Sequence, residues 1–200
     1  MSILSQLIYY VPLALTGLIL LWLLYLEVKD ELTSRLALRY LLIVILINIL
    51  QIASQVGLLY WQLKKDPFGQ YLLPGKSDYF TNIAISQSLS LAWPLAAALV
   101  IILGLILIRK VLKSTIIDKT DLALITLTFT AVGFSSITVL IGGTFIWMIL
   151  VQVFAILKNR KKKTEFRLKM TPFLLVVAFI ILILNNFDFY WKLLQKLHLE

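Results

Sequence analysis

The sequence predicts an all-α polytopic membrane protein of six transmembrane helices, a single membrane domain over 1–200 with both termini outside and no soluble domain. Three observations predict it. Of 200 residues, 60% are hydrophobic and only 14% charged, with a mean hydropathy of +0.94, whereas soluble domains carry about 25% charged residues. Stretches without Asp, Glu, Lys or Arg run 1–26, 40–63, 79–108, 122–157 and 170–187, and a bilayer core of about 30 Å takes roughly 20 apolar residues per helix. Finally, the 19 Lys and Arg against 10 Asp and Glu fall in clusters between those stretches, the pattern of cytoplasmic loops. This composition excludes a disordered chain, a nucleic-acid-binding domain and a disulfide scaffold.

The elements follow in order. The first helix, about 7–26, has no basic leader and no small-residue cleavage site, so it is read as retained. Pro12 is expected in its first turns, where a missing N–H is cheapest. Helix two, about 39–62, ends in Tyr60-Trp61, and helix three, about 83–109, is preceded by Tyr79-Phe80. Both pairs read as aromatic belts on one side of the bilayer. Trp93-Pro94 is expected to kink helix three or to mark where its regular part begins. Between the second and third helices, Pro67, Gly69, Pro74 and Gly75 predict turns in an external loop.

The 122–157 stretch holds 36 uncharged residues, too many for one span and enough for a tight hairpin of helices at about 121–136 and 139–157. Gly133-Phe134-Ser135-Ser136 is the expected turn, with Gly142-Gly143 the other candidate. With six helices, the basic loops 27–38, 110–120 and 158–170 share one side; with five, the two richest would face opposite compartments, against the positive-inside rule. The sixth helix is expected at about 171–188, ending near Asn185-Asn186, followed by an amphipathic interfacial tail at 189–200.

Chemistry is constrained by what is missing. There is no cysteine and one histidine, His198, so thiol nucleophiles, His-based triads and multi-His metal sites fall away, and no cofactor or metal is expected. Carboxylates remain. Glu27 ends the first apolar run, with Asp30 and Glu31 one turn on, sharing a face if the helix continues. Asp118 and Asp121 open the fourth helix. Two carboxylates held close cannot both ionise easily, and such a pair activates water against a peptide bond. The structural alternative is that Asp121 complements a helix N-terminus and that Glu27, Asp30 and Glu31 pair with Lys29, Arg35 and Arg39.

Leu24-Tyr25-Leu26-Glu27-Val28-Lys29, Asp118-Lys119-Thr120-Asp121-Leu122-Ala123-Leu124 and Met170-Thr171-Pro172-Phe173-Leu174, set on this helix order, resemble the prepilin peptidase family of intramembrane aspartyl proteases. The family has an aspartate where Glu27 stands, two glycines before its second aspartate where this chain has Asp118 and Thr120, and a lysine where it has Ala123. The resemblance covers most of the chain as topology and about twenty residues as motif. It implies cleavage of pilin-like leader peptides at the cytoplasmic face of a prokaryotic plasma membrane, with Asp121 and either Glu27 or Asp30 as the catalytic pair and Asp118 in reserve. The other reading is a non-catalytic membrane protein: an inactive relative, an assembly scaffold or a small-solute transport or binding subunit.

Two further features have simpler explanations. Lys158, Arg160, Lys161, Lys162 and Lys163 are read as a topology determinant able to meet anionic lipid headgroups. Asn48, Gln51, Ser54 and Gln55 form a polar stripe on helix two, the kind that joins helices inside a bundle. The lipid bilayer is the partner that composition itself implies; oligomeric state has no signature.

Overall fold

The structure is a computed structural model that describes residues 3–112, 119–158 and 170–196. Its elements among the described residues are helical: α1 (Ile3–Val28), α2 (Ser34–Lys65), α3 (Tyr79–Leu112), α4 (Lys119–Val132), α5 (Ile137–Lys158), α6 (Thr171–Leu184) and α7 (Asp188–Lys196), with short 3-10 turns at Gly69–Leu72 and Phe134–Ser136. Four helices are long and apolar enough to cross a membrane, and a fifth span results if α6 and α7, bent by 103°, count as one. Lipid-scale exposure of large apolar side chains along α1, α2, α3 and α5, from Leu18 and Leu42 to Val100 and Phe154, fits a chain solvated by hydrocarbon.

Helices appear where the apolar stretches predict them, but their ends differ. The outer helices run past their apolar cores into flanking polar residues, because a backbone already in helical register continues until a cap stops it. Pro12 therefore lies well inside α1, and Pro94 lies inside α3 and not at its start. At the front of α2, the Thr33 hydroxyl accepts from the Leu36 amide at 3.4 Å, a serviceable N-cap.

The expected hairpin forms at the first of its two candidate turns. Gly133 takes φ +80°, a left-handed conformation that L side chains avoid, and the Ser136 amide returns to the Gly133 carbonyl at 3.3 Å. Gly142-Gly143 continues α5. Both α4 and α6 are shorter than expected, at 14 residues each, or roughly 21 Å. They can be short because they are not walls against lipid. Buried α4 residues (Ala123, Leu124, Leu127, Thr128, Phe129, Val132) join α6 residues (Leu174, Leu175, Ala178, Ile181) in one core, with α4 packed on α2, α3 and α6, and α6 also on α1 and α5.

A regular register runs through this core. A side chain at Gly17 of α1 would meet Leu182 and Phe179 of α6 at 3.4–3.5 Å, and one at Gly143 of α5 would meet Val177 of α6 at 3.1 Å. Both contacts are antiparallel. Beside the loop that joins α2 to α3, Tyr60 and Phe80 meet edge-to-face at 5.6 Å and Lys65 lies 3.6 Å over the Trp61 ring, so the two aromatic pairs do share one end of the bundle.

Close approach at Gly143 and open space at Gly142 make opposite predictions for adjacent glycines. Gly143→Val should destabilise the bundle by about 1–3 kcal/mol through overpacking against Val177. Gly142→Ala should be neutral or gain up to about 1 kcal/mol of helix propensity. Thermal unfolding in detergent micelles measures both.

Candidate functional site

Two polar clusters tie the short helices to their neighbours. At one end, Tyr190 of α7 donates its hydroxyl to Ser136 Oγ (3.0 Å), Ser136 donates to Asn185 Oδ1 (3.3 Å), and the Asn185 amide donates to the Val132 carbonyl (3.4 Å). Asn185 is thus the hub: it caps α6, holds the last residue of α4, and its carbonyl takes the Trp191 indole N–H at 2.9 Å. Tyr190 and Leu194 are buried in the core, so the amphipathic tail is packed through its apolar side onto the ends of α4 and α6.

At the other end, Thr171 Oγ1 donates to Glu27 Oε1 at 2.8 Å, across 144 residues of sequence. Because α4 and α6 are packed together, joined at their C-termini and equally long, their N-termini lie level. The first turn of α4, which carries Asp121, is therefore at the same end of the bundle as Thr171 and Glu27. Glu27 and Asp121 are each half-buried.

Depth follows from the same register. Ser136 and Gly143 lie beside Asn185 and Val177, so α5 is level with Thr171 near Ile149 and continues for roughly 13 Å beyond it. That continuation exposes Leu150, Val153 and Phe154, the surface of a lipid-facing helix. Glu27 thus lies level with the stretch of α5 near Ile149, short of that helix's end at Lys158.

The remaining candidates separate on geometry. The first helix does not continue to Asp30, so Glu27, Asp30 and Glu31 do not share a helical face. The Glu31 amide returns to the Leu26 carbonyl (3.0 Å) and the Asp30 amide to the Glu27 carbonyl (3.1 Å), while Asp30 takes φ 56°. This is a Schellman cap with an aspartate in the position glycine prefers. Asp30 is exposed. Asp118 and the run Arg160, Lys161, Lys162, Lys163 lie outside the described residues, and Lys158 is the last residue of α5. Lys29 stacks 4.6 Å over the Tyr25 ring. The polar stripe of α2 does not act as glue at Asn48, whose amide returns to Val44 of its own helix at 2.9 Å, and Ser54 opens on a shallow groove with Ile8, Leu58 and Trp61.

Among the described residues no group of three or more His, Cys, Asp or Glu is placed to hold a metal ion. Sequence reasoning missed the role of Thr171, although it lies in a quoted motif, and the joining of Ser136, Asn185 and Tyr190, which were read as packing, a terminus and a tail. Comparison with known protein families, characterised proteins and solved structures finds no match to this chain.

The two caps give direct tests. Asp30→Gly should stabilise by up to about 1 kcal/mol by relieving the left-handed backbone, and Asp30→Val should cost about 1–2 kcal/mol. Tyr190→Phe should cost about 1 kcal/mol by removing the donor to Ser136, read as a lower midpoint in thermal unfolding.

Proposed function

We propose that the chain is a prepilin peptidase-like intramembrane aspartyl protease of a prokaryotic plasma membrane, cutting the leaders of pilin-like proteins at the cytoplasmic face. What supports this reading is a shared end of the bundle: Glu27 is bonded to Thr171 at the entry to α6, and the Asp121 turn opens α4, whose start is level with that of α6. These lie in three of the segments compared in the sequence resemblance, the fourth being Thr33-Ser34-Arg35-Leu36. Among the acids, Glu27 is the first member of the pair and Asp30 its neighbouring cap: Glu27 is half-buried with a hydroxyl partner, whereas Asp30 is exposed and serves the helix terminus.

The chemistry requires no metal. The ionised member of the pair takes a proton from water as the water oxygen adds to the peptide carbonyl, and the protonated member donates to the carbonyl oxygen. Collapse of the tetrahedral intermediate breaks the C–N bond, with the proton returned to the leaving amine. A site at the end of a bundle of apolar helices suits a substrate whose cleaved bond borders an apolar helix, since that helix can remain in lipid during cleavage.

Cleavage of a pilin-like leader in membranes holding the wild-type chain tests the reading. Asp121→Asn and Glu27→Gln should each lower the rate by about 1,000-fold or more, and Asp30→Gly should leave it within a few-fold. Equal cleavage by wild type and Asp121→Asn would exclude the assignment.

A further inference from the structure

Threonine hydroxyls inside this bundle follow one habit. Thr16, Thr126, Thr128, Thr130 and Thr144 each donate to the carbonyl four residues earlier in their own helix, at 2.6–2.9 Å. In lipid this satisfies the hydroxyl without a partner from another helix. Thr171 departs from it. It is the first residue of α6, and its hydroxyl crosses to Glu27 Oε1 at 2.8 Å while the residue itself is only 3% exposed. A buried hydroxyl aimed at a carboxylate on another helix does something that local helix satisfaction does not explain.

We infer that Thr171 is a positioning residue for Glu27. The inference rests on the protease reading, in which Glu27 is the first acid. A glutamate has three rotatable bonds, one more than the aspartate the resemblance would place here, and so its carboxyl group has more orientations to lose before it can work in a pair. The Thr171 hydroxyl removes that freedom. It engages Oε1, leaves Oε2 as the oxygen for the second acid or the water, and anchors both to the rigid start of α6, where Pro172 fixes the first turn. Gly17 packed on Leu182 and Phe179 sets the α1–α6 spacing that keeps the bond short. Thr171 thereby compensates at this site for the longer acid.

The test compares wild type, Thr171→Ser and Thr171→Val in leader cleavage, with kcat and KM measured separately. Valine keeps the shape and removes the donor; serine keeps the donor. Thr171→Val should lose about 10- to 100-fold in kcat with KM unchanged, as misplacement of a catalytic group does, and Thr171→Ser should stay within about threefold of wild type. A second measurement holds even if the valine variant folds less well: in a Glu27→Gln background, Thr171→Val should cost nothing further, because a residue acting through Glu27 has nothing left to position. Wild-type kinetics in Thr171→Val, or additive losses in the double variant, would overturn the inference while leaving the protease reading in place. A wild-type chain that cuts no leader would overturn both.

Discussion

The structure depends on one constraint: two half-length helices, α4 and α6, run side by side in the same direction among longer ones, and their ends find partners within the bundle. A helix leaves orphan amides at its start and orphan carbonyls at its end, and hydrocarbon cannot meet them. At the C-terminal end Asn185 closes α6 and takes the last carbonyl of α4, with Ser136 and Tyr190 completing the set. At the N-terminal end a carboxylate from α1 comes to the first residue of α6. Everything else is arranged around that pair: Gly17 and Gly143 bring α1 and α5 close, and α7 covers the far end through Tyr190 and Leu194.

This arrangement assigns different physical jobs to helices with similar hydropathy. The outer helices present leucine, isoleucine and aromatic surface to lipid and need length. The inner ones need only to pack, and α4 carries three threonines whose hydroxyls fold back on carbonyls of their own helix.

Much of the fold was legible in the sequence, and the reason is hydropathy. Charge-free stretches marked the helices because each charge at membrane depth is costly, and Gly133 marked the hairpin because its left-handed backbone suits glycine. Helix ends were less legible. Apolar runs report where lipid begins, not where a backbone leaves helical register, so α1, α2 and α3 overran their predicted bounds and α4 and α6 fell short of theirs. Whether the helix continues to Asp30 was not legible, because an aspartate serving as a left-handed cap has no strong sequence mark. The candidate site was legible as acids at helix ends and illegible as geometry. Nothing in Met170-Thr171-Pro172 says that the hydroxyl will reach α1.

The nature of the partner at Glu27 sharpens the distinction between balance and function. Glu27 has a defined partner in a chain with 19 basic residues. Lys29, two residues on, instead lies over the Tyr25 ring, while Glu27 turns inward to a hydroxyl. A hydroxyl orients a carboxylate without neutralising it. Among the described residues, the end of α1 is therefore fixed in two ways: its lysine is held on its own helix and its carboxylate is tied to the start of α6.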